Sequence, residues 1–382
     1  VLLLIMRLIS PTDALAGVAK GTDVYLFLIG MMLLSETART EGLFDWLAAH
    51  ATRLSKGSAS RLFLLIYGVG TIVTIFLSND ATAVVLTPAV AAAVKAAKAR
   101  RPLPYLLICA FIANAASFVL PISNPANLVI YASHTPPLLQ WLPRYLLPSL
   151  LSIAATYIVL KWTQRGALSQ EIATDVQVPI LSGAGKTAAL GIAATAIVLL
   201  VSSALDRQLG LPTAIAGAVT MAVVLITERK GPWAMIKGIS WSVLPLVAGL
   251  FVLVEALDKS GLIRRFAGIL HDQAERSATQ TSWLSGIVIA FASNLMNNLP
   301  AGLIAGNAVH SAAAPDPVTR AVLIGVDLGP NLSITGSLAT ILWLTALRRE
   351  GQSVGGFDFL KLGFLVMPPA LILALAASSL FG

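Results

Sequence analysis

Apolar residues run along this chain in blocks rather than in stripes. Windows of about 20 apolar residues, each long enough to cross a hydrocarbon core about 30 Å thick, recur near 22–38, 137–160, 187–205, 211–227, 239–257 and 357–381. Each predicts a membrane-spanning helix, because blocks this long lack the short alternating period of outer-membrane barrel strands. The opening residues, VLLLIMRLI, read as the tail of a further helix rather than as a signal peptide.

Four other stretches depart from this pattern. Leu62 to Val94 carries no charge except Asp80; it is too long for one straight span and too short for two with a loop between. A re-entrant hairpin fits, with its tip at Ser78-Asn79-Asp80. Ser277 to Pro315 is the second such stretch, without any acid, lysine or arginine, and SNLMNNLP (Ser293 to Pro300) sits in its middle. The remaining two are spans with polar centres, ANAASFVLPISNPANLVIY (Ala113 to Tyr131) and VDLGPNLSITGSLATILWL (Val326 to Leu344). Proline removes a backbone donor, glycine frees the dihedrals, and serine or asparagine caps a restarted half-helix, so both predict discontinuous helices.

These irregularities come as a pair of pairs. LLSETARTEGLF (Leu33 to Phe44) resembles LVEALDKSGLI (Leu253 to Ile263), and after each comes an asparagine-containing hairpin tip and then a broken span. Two halves with matching breaks mark an internal repeat of the secondary-transporter kind. If the first hairpin enters and leaves from one face, its flanks Arg53, Lys56, Arg61, Lys95, Lys98, Arg100 and Arg101 lie together, and the positive-inside rule makes that face cytoplasmic. Threading the other spans puts most of the 26 lysines and arginines on the same side. The second hairpin then enters from outside, flanked by the amphipathic segment Lys259 to Arg276. The expected fold is an all-α polytopic membrane protein, an inverted repeat with two re-entrant hairpins and two discontinuous transmembrane helices. Residues 1–165 form the first repeat (hairpin 62–94, broken helix 104–134), 166–186 a cytoplasmic linker, and 187–382 the second repeat (hairpin 277–315, broken helix 318–347).

Composition agrees. The chain is 57% hydrophobic and 12% charged, with a mean hydropathy of +0.82, which places it in the membrane class. Its net charge of +8 belongs to loops that set orientation, not to a nucleic-acid surface. The one cysteine, Cys109, allows neither a disulfide nor a multi-thiolate metal site within one chain. His50, His134, His271 and His310 have no metal-site spacing, so no metal or cofactor is expected. GAGKT (Gly183 to Thr187) imitates the end of a phosphate-binding loop, but Ile180 stands where the pattern needs glycine, and no strand precedes it. It reads as a flexible turn. Energy must come from an ion gradient or a partner.

The chemistry gathers at the breaks. A carboxylate at bilayer depth costs several kcal/mol unless it faces a cavity or binds something, and Asp80 is the leading candidate; the plainer reading, a hairpin cap, is compatible with it. Half-helix ends offer N–H donors, while asparagine side chains and unwound carbonyls offer acceptors. Four such ends converging would make one polar chamber. Asp327, in the second broken span, is the second buried carboxylate, and both acids are candidates for proton coupling, Asp327 having the alternative role of an interhelical hydrogen-bonded link. Asn114 stands at the matching place in the first half. Glu36 and Glu255, near the ends of their spans, read as solvated helix termini.

At this point FLSNDATAVVLTP (Phe76 to Pro88), SNPANLVI, MNNLPAGLIAG (Met296 to Gly306) and DLGPNLSITGSLATILWL (Asp327 to Leu344) resemble arsenite efflux permeases of the ion-transporter superfamily, the ArsB-type arsenical pump. The resemblance covers nearly the whole chain. It implies a multi-pass protein of the inner membrane, not an enzyme, that exports arsenite or antimonite as the neutral trihydroxide in exchange for protons by alternating access. A soluble arsenite-stimulated ATPase is a candidate partner beside the lipid bilayer. A neutral trihydroxide needs donors and acceptors rather than a counter-charge, and the candidate substrate residues are Ser78, Asn79, Asp80, Thr82, Ser123, Asn124, Asn127, Asn297, Asn298, Thr335, Gly336 and Ser337. The principal alternative is a sodium/proton antiporter of the same superfamily, with Asp80 and Asp327 as cation ligands. An intramembrane enzyme is the remote one, since no nucleophile with a base is apparent.

Overall fold

A backbone in lipid must satisfy its own N–H and C=O groups, so the apolar blocks become helices. The computed structural model describes residues 2–131, 135–174 and 176–380; His134, and with it the end of the expected 104–134 segment, lies outside the described residues. Five described helices are long and apolar enough to cross a membrane: Ala59–Phe76, Leu138–Gln164, Gly183–Ala204, Gly210–Glu228 and Gly356–Ser379. The span expected near 239–257 is the helix Val243–Lys259. The first expected span gains a partner that the apolar pattern did not reveal. Pro11–Lys20 precedes Thr22–Thr40 with a bend of 50° between them. Ser10 caps the shorter helix by accepting from the Asp13 amide, and proline suits a first helical turn because its missing N–H has no partner there anyway.

Both expected hairpins are present. The first runs down Ala59–Phe76, breaks at Leu77-Ser78, and returns through Asn79–Ala81, a π-helical turn at Thr82–Leu86, and Thr87–Ala96. Pro88 explains the widened turn: its ring displaces the carbonyl four residues back, and a π-bulge makes room. The second hairpin descends Ala278–Met296, turns at Asn297, and returns as Asn298–Ser311. Asn297 carries the turn with φ 77 and ψ 151, a conformation that costs about 1–3 kcal/mol for a residue with a Cβ.

Both broken spans are present as well. Leu103–Ala115 stops and the chain restarts as Pro125–Tyr131; Asp316–Leu328 stops and restarts as Leu338–Arg349. The leading half-helices form the centre of the molecule, with Tyr105 to Ala116 and Arg320 to Leu328 buried. Close contact is arranged by small residues, as membrane helices require in the absence of a hydrophobic drive between them. A Cβ on Gly325 would overlap the Gly286 backbone, and one on Gly329 the Ala290 backbone. Trp343 Nε1 donates to Leu106 O at 2.8 Å and Trp141 Nε1 to Phe118 O at 3.2 Å, so each long span or restarted half-helix is pinned to the first broken span. GAGKT is not a flexible turn: Gly183 opens the helix Gly183–Ala204, and Ser182 Oγ caps it by accepting from the Gly185 amide. The serine's hydroxyl supplies the acceptor that a first helical turn lacks.

Candidate functional site

Each restarted half-helix begins with a side chain that accepts from its own first turn. Ser78 Oγ accepts from the Ala81 amide at 3.1 Å, Asn124 Oδ1 from Ala126 at 3.0 Å, Asn297 Oδ1 from Leu299 at 3.4 Å, and Ser337 Oγ from Thr340 at 3.0 Å. Capping of this kind is why the breaks fall at Ser-Asn, Asn-Pro, Asn-Asn and Ser-Leu. The four starts then meet. A constriction of about 30 Å³ is lined by Asn79 and Asp80 of the first hairpin, Asn124 and Pro125 of the first break, Asn298 and Leu299 of the second hairpin, and Leu338 and Ala339 of the second break. Four positive helix ends therefore face one point, where they offer N–H donors and stabilise negative charge.

Two larger cavities lie along the same half-helices. One, of about 500 Å³, contains Ser78 and Asp80 at its inner end and Glu36, Arg39, Lys237 and Arg349 among its other walls. The other, of about 280 Å³, lies towards Lys20, Asp23, Glu255, Asp258 and His310. Asp80 lines both the larger cavity and the constriction. Its carboxylate is half-buried and has no ion pair within 4 Å among the described residues. A carboxylate at the foot of such a passage keeps its acceptor capacity for a proton or for a hydroxyl donor.

The expected site residues divide into those that face the chamber and those that build it. Ser78, Asn79, Asp80, Asn124 and Asn298 line it, and Ser337 caps the helix whose first turn does. Thr82 does not: its hydroxyl pairs with Thr74 at 2.8 Å inside the first hairpin. Ser123 donates to Ile75 O at 2.9 Å, tying the first break to the first hairpin. Asn127 donates to Ser117 O at 2.8 Å and closes the unwound loop on itself. Asn297, Thr335 and Gly336 bind hairpin to break and line none of these three cavities. Asn297 Nδ2 donates to Thr335 O at 3.4 Å, Thr335 Oγ1 donates to Asn294 O at 2.9 Å, and a Cβ on Gly336 would sit 2.6 Å from Pro330 Cα.

Asp327 is fully buried behind the chamber rather than in it. Asn124 Nδ2 donates to its Oδ1 at 2.7 Å, so the acid orients the cap of the other half's restarted helix. Asn114, one helical position from the end of its half-helix as Asp327 is of its own, crosses in the opposite sense: its Nδ2 donates to Asn331 Oδ1 at 3.0 Å and to Thr340 Oγ1 at 3.4 Å. The buried amide and the buried acid thus perform matching structural tasks in the two halves.

Glu36 and Glu255 are not solvated ends. Both are buried and held by cations: Arg39 donates to Glu36 through Nε at 2.8 Å and Nη2 at 2.5 Å, and Lys20 Nζ lies 2.5 Å from Glu255 Oε2. Along the sequence a terminus that abuts another helix looks the same as one that meets water. Their recurrence before a glycine in each half was the available signal. Cys109 is buried in the first broken span and lines neither cavity. Among the described residues no three histidines, cysteines or acids come together as a metal site.

Residues 1–325 match the family described as "Citrate transporter" (CitMHS). The chain is 28% identical over 370 residues to the arsenical pump membrane protein of Yersinia enterocolitica, covering 92% of this chain and 85% of that one. It is 27% identical over 380 residues to the arsenical pump membrane protein of Escherichia coli K12, with the same shares. Among solved structures it has the fold of the YdaH transporter of Alcanivorax borkumensis, with a TM-score of 0.60 and 17% identity across 97% of this chain and 86% of that one.

Proposed function

We propose that this chain, which belongs to the citrate transporter family CitMHS, exports arsenite or antimonite from the cytoplasm as the neutral trihydroxide in exchange for protons. It is a multi-pass membrane transporter; the cargo comes from the names of the relatives above and from the chemistry of the chamber. The observation that carries the reading is the position of Asp80, without an ion-pair partner among the described residues, where four half-helices start.

A trihydroxide has three O–H donors and weakly basic oxygens. Asn79 and Asn298 bring side-chain amides to the constriction, where Asn124 is already engaged with Ala126 and Asp327, and none of the three brings a counter-charge that would hold an anion too firmly to release. Asp80 supplies the coupling. When the larger cavity is open the carboxylate keeps its water; when the passage closes over it, that water is lost, and an unpaired charge at mid-depth costs several kcal/mol. Protonation removes the cost, so the carrier turns over either with a proton on Asp80 or with cargo hydrogen-bonded to it. Two ligands that compete for one group are exchanged rather than carried together. The larger cavity, with Arg39, Lys237 and Arg349 on its walls, is the cytoplasmic one by the positive-inside rule, and this structure is the inward-facing state of an alternating-access cycle. Asp327 acts through Asn124, as a positioning residue.

Everted membrane vesicles with an imposed pH gradient separate this reading from its rival. Uptake of arsenite but not of sodium, driven by the gradient, is the expected result. Sodium movement without arsenite movement would transfer the assignment to sodium/proton exchange.

A further inference from the structure

The segment that opens the first half has a match inside the second, after the helices Gly183–Ala204 and Gly210–Glu228. Arg7 and Arg229 each turn the chain through the left-handed region, at φ 54 and φ 53, and each is followed by a proline that precedes or begins a short helix, Pro11–Lys20 or Trp233–Gly238. Lys20-Gly21 and Lys237-Gly238 close these helices, and the long helices that follow carry Glu36 and Glu255. Each short helix lies against the glutamate of the other half. A Cβ on Gly17 would stand 3.1 Å from Glu255 Cβ, and one on Gly238 would overlap the Glu36 carboxylate.

The helices differ in length, ten residues against six, and so does the ion pairing. At the smaller cavity Lys20 pairs with Glu255 at 2.5 Å, and beyond its lining Lys259 pairs with Asp13 at 3.1 Å, both between the halves. Around the larger cavity Glu36 is held by Arg39 of its own helix. Lys237, the counterpart of Lys20, lines that cavity together with Glu36, Arg349 and Asp80 and makes no ion pair within 4 Å among the described residues.

We infer that Lys237 and Glu36 are a latent gate, the repeat-related counterpart of the closed Lys20–Glu255 pair, and that the two pairs form alternately during transport. Inverted repeats exchange conformations when such a carrier switches sides. In the opposite-facing state Lys237 takes Glu36 from Arg39 and shuts the Asp80 cavity. Lys20 then releases Glu255, which turns to Lys259 four residues on in its own helix, as Glu36 turns to Arg39 here. The inference rests on alternating access but on no particular cargo.

The test places cysteine pairs, Lys20→Cys with Glu255→Cys and Lys237→Cys with Glu36→Cys, in a Cys109→Ser background, with a protease site inserted in the exposed 177–182 loop between the halves. A short bifunctional thiol reagent is applied to vesicles, the loop is cut, and the gel reports whether the halves remain joined. Both pairs are expected to join the halves. A chain with all four cysteines is expected to carry one crosslink or the other, and never both by peptide mass spectrometry. The inference is overturned if the 36–237 pair stays unjoined while the 20–255 pair, adjacent in this structure, reacts readily, or if one molecule carries both crosslinks. Because crosslinks are read on the protein itself, failure of the arsenite assignment in transport assays leaves this outcome unaffected.

Discussion

Asn124 and Asp327 are joined across the two halves of the molecule: the amide donates to the acid at 2.7 Å while its own oxygen caps the restarted helix Pro125–Tyr131 through the Ala126 amide at 3.0 Å. One side chain thereby links a buried acid to the wall of the constriction. Asp327→Asn keeps an acceptor for Asn124, so export of arsenite by everted vesicles is expected to stay within a few-fold of wild type with an unshifted pH profile. Asp327→Leu leaves the buried amide donor unsatisfied at about 1–3 kcal/mol, and a loss of roughly ten-fold or more is expected. Loss of coupling in the well-expressed asparagine variant would make Asp327 a proton carrier instead.

The residues that line the constriction separate from those that build the hairpins. Asn298→Ala removes a wall amide and is expected to raise KM for arsenite at least several-fold at normal expression. Thr82→Val and Thr335→Ala, whose hydroxyls bond within the scaffold of hairpin and break, should lower thermal stability while leaving KM unchanged. Equal KM values for all three would show that the chamber has been placed wrongly.

Cys109 is enclosed by the first broken span. Cys109→Ser is therefore expected to confer arsenite resistance on a pump-deficient host as well as wild type does, since the thiol lines neither of the two larger cavities. A sensitive phenotype with normal membrane levels would reinstate thiolate coordination.

The crossing of the second hairpin with the second broken span depends on the absence of side chains. A Cβ at Gly325 would overlap the Gly286 backbone, and overpacking of this sort costs about 1–3 kcal/mol. Gly325→Ala should lower the melting temperature in detergent by several degrees, and Gly325→Leu should prevent accumulation in the membrane. Wild-type melting of the alanine variant would mean that the two helices do not touch there.

The hairpins and broken spans were legible because their cause is local. Run length separates a re-entrant pair from a single span, and Ser78, Asn124, Asn297 and Ser337 announce helix starts, two of them, Asn124 and Ser337, just after Pro121 and Gly336. Which side of each start faces the chamber was not legible. Asn79 and Asn298 line it whereas Thr82 and Thr335 do not, because the rotation of a half-helix is set by its neighbours. The bent Pro11–Lys20 segment stayed hidden because its polar residues interrupt the apolar pattern. Glu36 and Glu255 were misread for a related reason: the short helices that bury them come from the other half of the chain, and no local pattern records that contact.

The most direct measurement is proton movement by purified protein in liposomes, followed with a pH-sensitive dye when an arsenite gradient is imposed, for wild type and Asp80→Asn side by side. Wild type is expected to move protons against arsenite and the variant to move none, while both melt alike and bind arsenite. Undiminished proton movement by Asp80→Asn would remove the carboxylate from the exchange and contradict the account.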